Sequence, residues 1–105
     1  MLTSFLVTEQ AVREALGEVI DPELGENLVD LGLVRACRVS GSQVQVDLTL
    51  TTPGCPLRAS LHAAAERAIR RHVPGVAEVT VSLVFDPPWT PDLIAPEARQ
   101  RLGFH

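Results

Sequence analysis

The stretch TLTTPGCPL, residues 49–57, joins the end of an alternating strand to the start of an alanine-rich helix. Pro53-Gly54 is typical of a turn, and Pro56 is favoured at the first position of a helix. The backbone N–H groups of a helix start have no partner within the helix. Cys55 is therefore predicted at a position where a thiol can serve chemistry rather than packing.

The strand that leads into this turn, residues 43–51, has the clearest alternation in the chain. Its apolar side chains are predicted to face inward and its polar side chains outward, with Thr49 and Thr51 in the outward set. Gly41-Ser42 is a two-residue hairpin connection to an earlier strand at residues 33–40. One face of the sheet is thus expected to pack on the core and the other to face water or a partner.

The remaining elements complete an α-β-β-α-β order. Thr8 is predicted to cap a first helix that ends near residues 17–19. A second helix is expected at about 56–72, a third strand at 76–86 and a short last helix at about 97–102. This order predicts a single two-layer α+β domain over residues 1–105 with a three-stranded sheet. The third strand could pair with the second in parallel or with the first in antiparallel.

Composition limits the classes of function. Hydrophobic residues make up 46% of the chain and charged residues 21%, which is typical of a globular protein. The net charge of -4 argues against a nucleic-acid surface. Two cysteines are too few for a disulfide scaffold. Neither a leader peptide nor an apolar run of about 18 residues is recognisable, so we expect a cytoplasmic protein with reduced thiols and no membrane contact.

The two cysteines have different expected roles. The helix dipole and Arg58, three residues later, both favour the thiolate form of Cys55. Cys55 is therefore a candidate nucleophile or soft-metal ligand, and the alternative is a helix-capping residue that happens to be cysteine. Cys37 lies on a predicted core face, where a free cysteine behaves as a small hydrophobe. No histidine is placed to pair with Cys55, since His62 would lie about 10 Å along the helix.

Several polar side chains near turns and strand ends could support a site. The carboxylates among them could bind a ligand, but Asp21 and Asp30 could equally cap turns, and Glu26 is expected to be solvated. Thr51 and Thr52 could donate hydrogen bonds to a thiolate or to its ligand. Trp89 could be a lid over the edge of the core or a contact surface. The candidate set beside Cys55 is Asp21, Glu23, Asp30, Thr51, Thr52, Asp86 and Trp89.

Four blocks carry a family resemblance. They are VIDPE at residues 19–23, NLVDLGLV at 27–34, TLTTPGCP at 49–56 and FDPPW at 85–89. In this order they resemble the SufT/PaaD-like family of metal–sulfur cluster assembly factors. The resemblance implies an iron–sulfur assembly type of fold, a role in maturing iron–sulfur proteins and Cys55 as the reactive residue. It also implies roles for the candidate set above, because these residues match the family's acidic loop, its threonines before the cysteine and its closing block.

The leading hypothesis is a non-enzymatic assembly factor. The Cys55 thiolate would bind iron or an iron–sulfur cluster in transit, with no metal in the resting protein as an alternative. One thiolate cannot satisfy a cluster that usually takes about four. A homodimer is therefore expected, with iron–sulfur client proteins and the assembly machinery as partners. The alternatives are a non-metal-binding adaptor of an iron–sulfur targeting complex and a thiol-dependent enzyme.

Overall fold

The computed structural model describes residues 7–51 and 58–103, and these form a two-layer α+β arrangement. The predicted order is confirmed, and a 3-10 turn that the sequence analysis did not predict precedes the last helix. Within the described residues no helix has both the length and the apolar character needed to cross a bilayer. The elements are α1 (Glu9–Leu16), β1 (Val34–Ser40), β2 (Gln43–Leu48), α2 (Arg58–His72), β3 (Glu78–Leu83), the 3-10 turn (Pro91–Leu93) and α3 (Pro96–Leu102).

The sheet has the strand order β1-β2-β3. β1 and β2 are antiparallel and are joined at Gly41, whose positive φ of 59° suits a tight hairpin turn. β3 pairs with β2 in parallel, from Gln43 opposite Glu78 to Leu48 opposite Leu83. A parallel neighbour requires a crossover connection, which α2 provides. The pairing that the sequence left open is therefore the parallel one.

The core lies between the sheet and the helices α1 and α2. The inward prediction for β2 is confirmed, because Val44, Val46 and Leu48 are each at most 1% exposed. The Thr8 hydroxyl accepts a hydrogen bond of 3.0 Å from the Ala11 amide and so caps α1 as predicted. Full burial of each large apolar side chain contributes roughly 1.5–3 kcal/mol. The helical side chains of this core are Val12, Ala15, Leu16, Leu61, Ala65 and Ile69.

The end of the described chain adds further contacts to this core. Residues 85–102, which we call the C-terminal strap, contribute the buried side chains Ile94 and Ala98 to it. Thr49 was predicted on the outward face, which was expected to meet water or a partner, but Thr49 is only 1% exposed and is therefore covered by other residues of the same chain. The strap also reaches the sheet, since Arg35 donates a hydrogen bond to the Pro87 carbonyl oxygen, and Trp89 donates one to that of Leu31.

The edge strand β1 contains a bulge at Arg35. Val34 lies opposite Leu48 and Ala36 opposite Asp47, so Arg35 is the extra residue between them. A bulge leaves its extra residue without a place in the ladder and bends the strand. The guanidinium of Arg35 is thereby free to reach the Pro87 carbonyl oxygen of the strap. The bulge therefore helps attach the strap to the sheet.

Candidate functional site

The acidic loop, residues 21–32, is held in shape by its own polar side chains. Asp21 is 5% exposed, and its Oδ1 accepts hydrogen bonds from the amides of Glu23 at 2.8 Å and Leu24 at 3.3 Å. The amide of Gly25 also donates to the Asp21 carbonyl oxygen at 2.7 Å. Of the two interpretations offered for Asp21, these contacts support turn capping. Its Oδ1 is thus committed to the loop backbone, whereas Glu23 lies exposed beside it.

Asp30 lies at the far end of the same loop. Asn27 bonds it twice, through its amide nitrogen to Asp30 Oδ2 at 2.9 Å and through its amide oxygen to the Asp30 backbone N–H at 2.9 Å. Arg101 of α3 approaches Oδ2 at 3.5 Å, and the Asp30 carbonyl oxygen accepts the Ala95 amide at 2.7 Å. Asp30 therefore links the loop to the C-terminal strap.

Glu26 forms an ion pair that was not predicted from the sequence. It was expected to be solvated, but its side chain is only 13% exposed and it pairs with Arg101 at 2.6 Å. The hydrogen bond from Arg101 holds the pKa of Glu26 below its ordinary value, with the Arg101 charge acting in the same direction and burial opposing it. The partners are 75 residues apart in the chain, so no local pattern could have shown the pair.

Trp89 and Asp86, both of the closing block, have different surroundings. Trp89 is half-buried against the core, and its Nε1 donates to the Leu31 carbonyl oxygen at 2.7 Å. The lid interpretation of Trp89 is therefore the one that the contacts support. Asp86 is exposed and precedes a cis peptide bond to Pro87. The structure thus brings Trp89 and Asp30 to the same loop, while Asp86 stays at the surface.

The threonines and the cysteine of the opening stretch are described only in part. Thr51 is half-buried in a bend that follows β2. Thr52 and Cys55 lie outside the described residues, and their predicted roles stay predictions. Thr49, which the sequence analysis did not select, has a buried hydroxyl with no hydrogen-bond partner in the described structure. Leaving such a group unpaired costs about 1–3 kcal/mol.

Cys37 is in the core, as predicted. It is 7% exposed on β1 opposite Val46. Burial raises the pKa of the Cys37 thiol, and the charge of Glu9 adds to this, while Arg13 and Arg38 act in the opposite direction. A thiol reacts as its thiolate, so Cys37 is suited to packing and not to chemistry.

The described residues contain no group of three or more His, Cys, Asp or Glu side chains that could hold a metal ion. Three carboxylates of the acidic loop are engaged with backbone amides, with Asn27 and with Arg101; they belong to Asp21, Asp30 and Glu26. His62, which was considered as a partner for Cys55, has its Nε2 within 2.5 Å of the Val81 carbonyl oxygen. The described part of the site is therefore a loop that hydrogen bonds and an ion pair join to the strap, and Cys55 lies outside the described residues.

Comparison with known proteins shows which family this chain is similar to. Residues 9–82 match the family model described as iron–sulfur cluster assembly protein. The chain is 38% identical to the Fe-S protein maturation auxiliary factor of Porphyromonas gingivalis, covering 99% of both chains. It is also 38% identical to the Fe-S protein maturation auxiliary factor SufT of Staphylococcus aureus, over 81% of this chain and 97% of that one.

A solved structure gives the same result for the fold. A domain of unknown function from Bacillus anthracis superposes with a TM-score of 0.88 at 32% identity, covering 92% of each chain. The expected α+β fold and the resemblance to SufT-like assembly factors are both confirmed, and with them an assembly or maturation role. The relatives are named as maturation factors and not as enzymes. This chain belongs to the iron–sulfur cluster assembly protein family.

Proposed function

We propose that the protein binds iron or an iron–sulfur cluster in transit through the thiolate of Cys55 and passes it to a client protein. The observation that carries this proposal is the burial of Cys37. The chain has two cysteines, and Cys37 is in the core with a raised pKa. Cys55 is therefore the thiol left for the cargo of a family whose members assemble iron–sulfur clusters.

The sequence around Cys55 favours its thiolate. α2 is described from Arg58, three residues after Cys55, and it continues to His72. A helix of this length carries a partial positive charge at its N-terminus, which lowers the pKa of a nearby thiol. Thr51 and Thr52, just before the cysteine, are proposed to donate hydrogen bonds to the thiolate or to its ligand. A lowered pKa makes a better metal ligand at neutral pH, because only the thiolate coordinates.

The remaining ligands come from outside the chain in this proposal. A cluster usually takes about four thiolates, and the carboxylates of Asp21, Glu26 and Asp30 are engaged within the chain. A second copy, a client or a small thiol would complete the coordination. We therefore propose a homodimer that works in the cytoplasm with iron–sulfur client proteins. In this scheme Asp21, Asp30 and Trp89 shape the site, while Glu23 and Asp86 are the exposed carboxylates that can meet a partner.

Anaerobic reconstitution with ferrous iron and sulfide tests the proposal. Wild type, Cys55→Ser and Cys37→Ala are loaded side by side, and protein-bound iron and sulfide are measured after desalting. Wild type and Cys37→Ala should load equally, because the Cys37 thiol is buried in the core. Cys55→Ser should lose most of the bound iron. Equal loading of Cys55→Ser would exclude direct coordination by Cys55.

A further inference from the structure

A groove of about 490 Å³ runs between the second half of α2 and residues 18–20. Ala64 and Ala68 lie one helical turn apart and line it with small side chains. Arg67 and Arg71, also one turn apart, line it as well, together with Ile20. The volume of the groove lies within the range of ligand pockets, roughly 300–1,000 Å³. No residue of the acidic loop, residues 21–32, lines this groove.

The groove carries two arginines that no described carboxylate pairs with. Arg67 and Arg71 are exposed, and neither forms an ion pair with any described residue. The next arginine of the same helix, Arg70, does pair with Glu66 at 3.6 Å. Like charges at i, i+4 destabilise a helix slightly. The α2 dipole compensates a cation at Arg71 in the last turn, but Arg67 lies outside that turn.

The other groups that face the groove set its specificity. His72 adds a further basic side chain, and Glu18 is the acidic side chain among the lining residues. Ile20 is 52% exposed, and among the described residues Leu93 is the other large apolar side chain with such exposure. Ile20 lies between buried Val19 and buried Asp21. The groove therefore combines one exposed aliphatic side chain with two arginines that form no ion pair within the described part of the chain.

We propose that this groove docks an acidic segment of a protein partner, with an aliphatic side chain of that segment resting on Ile20. Charge complementarity indicates the kind of partner, because the arginines attract carboxylates. The small side chains of Ala64 and Ala68 and the exposed Ile20 favour an aliphatic side chain over a phosphate. A nucleic acid does not fit, because the chain as a whole carries a net charge of -4. This docking function is additional to the proposed role of Cys55 and does not depend on it.

The position of the groove suits such a role. Arg67 is nine residues along α2 from Arg58, which is about 13 Å at 1.5 Å per residue. A partner held at the groove would therefore leave the start of α2 open. The interaction should weaken as ionic strength rises, because charges at a surface are screened over about 8–10 Å in physiological salt.

Fluorescence anisotropy with a short fluorescein-labelled peptide of aspartate and glutamate around two central leucines tests the proposal. Wild type should bind it, and Arg67→Ala/Arg71→Ala should bind about tenfold more weakly, from the loss of two partly exposed ion pairs. Ile20→Ala should weaken binding several-fold. The chain offers matched controls: Arg99→Ala removes an arginine of α3, and Leu93→Ala removes the other exposed aliphatic side chain. Both should bind as wild type does.

Several results would overturn the proposal. The proposal is wrong if wild type does not bind the peptide, or if Arg67→Ala/Arg71→Ala binds it as tightly as wild type does. It is also wrong if wild type binds equally well a peptide in which lysines replace the acidic residues. Oligothymidine that competes for the same arginines as tightly as the peptide would assign the groove to nucleic acid. Sedimentation equilibrium provides the remaining check: a wild-type dimer that Arg67→Ala/Arg71→Ala turns into a monomer would assign the groove to a second copy. Far-UV circular dichroism verifies that each surface variant is folded.

Discussion

The indole nitrogen of Trp89 donates a hydrogen bond of 2.7 Å to the carbonyl oxygen of Leu31, 58 residues earlier in the chain. It joins the closing block of the sequence to the acidic loop. The Ala95 amide and the Arg101 side chain reach the same loop, at Asp30 and Glu26. The shape of the acidic loop is therefore set by the C-terminal strap as much as by its own turns.

Replacement of Trp89 tests the contribution of this bond. Trp89→Phe keeps an aromatic ring against the core but removes the donor, so we expect a loss of about 1 kcal/mol in the free energy of unfolding. Trp89→Ala also removes the packing and should cost about 3 kcal/mol. Urea unfolding followed by far-UV circular dichroism measures both, since Trp89 is the single tryptophan and fluorescence would be lost. Wild-type stability in Trp89→Phe would show that the hydrogen bond contributes nothing.

Gly32 tests how closely the strap approaches the loop. Its φ is +73°, and a Cβ at this position would lie 2.3 Å from the Leu93 carbonyl oxygen. Gly32→Ala should therefore destabilise the protein by about 3 kcal/mol or more, from a left-handed backbone and a clash with another segment. Gly25→Ala is the matched control, because its φ is +74° but no atom lies within 4 Å of the added carbon.

Gly25→Ala should lower the free energy of unfolding by only about 1–2 kcal/mol, because it places a side chain on a left-handed backbone but causes no clash. Thermal unfolding of the two variants under identical conditions gives the comparison. Equal thermal midpoints for Gly32→Ala and Gly25→Ala would mean that the strap does not approach Gly32 closely in solution.

The Glu26–Arg101 pair predicts a dependence of stability on pH. Because the pKa of Glu26 is lowered in the folded protein, its contribution is fully present above the ordinary glutamate pKa of about 4.3 and is lost as pH falls below it. Arg101→Gln removes the partner, so this variant should be less stable near pH 7 and lose less between about pH 5 and pH 3. Urea midpoints measured across that range provide the test.

Arg99→Gln is the control for charge, since Arg99 lies on the same helix and forms no ion pair with a described residue. It should follow the wild-type pH profile. If Arg101→Gln runs parallel to wild type over the acid range, the pair does not contribute to stability in solution.

The two cysteines should differ in reactivity. Burial raises the pKa of Cys37, so in the native protein its alkylation by iodoacetamide at neutral pH should be at least about tenfold slower than in urea. Cys55 should react at least as fast in the native protein as in urea. Peptide mass mapping over a time course separates the two sites. Rapid labelling of native Cys37 would remove the reason for assigning the chemistry to Cys55.

Local pattern was sufficient for most of the fold. Alternation in β2, the Thr8 cap and helical spacing in α2 each follow from residues within a few positions of one another, and all three are present. Strand order needs distant partners, so the parallel pairing of β2 and β3 could not be chosen from the sequence. The bulge at Arg35 in β1 could not be predicted either, because the alternation of apolar and polar residues does not reveal it.

The site was harder to predict because the C-terminal strap determines it. Thr49 alternates as an outward residue, yet it is buried at the sheet end that the strap reaches. Glu26 looks like any loop carboxylate until Arg101 is brought to it from α3. Asp21, Glu23 and Asp30 were selected as candidate site residues, and in the structure the hydrogen bonds of Asp21 and Asp30 hold the loop together. Cys55 was selected from its place at a helix start and from the family resemblance, and its role stays a prediction.

Transfer of a cluster to a client measures the central claim most directly. Reconstituted wild type, Cys37→Ala and Cys55→Ser are each mixed anaerobically with an apo protein that requires a cluster, and the regained client activity is followed with time. The expected result is transfer at the same rate from wild type and Cys37→Ala and none above the free iron-and-sulfide background from Cys55→Ser. Transfer from Cys55→Ser at the wild-type rate would contradict a role for this thiol and would favour an adaptor.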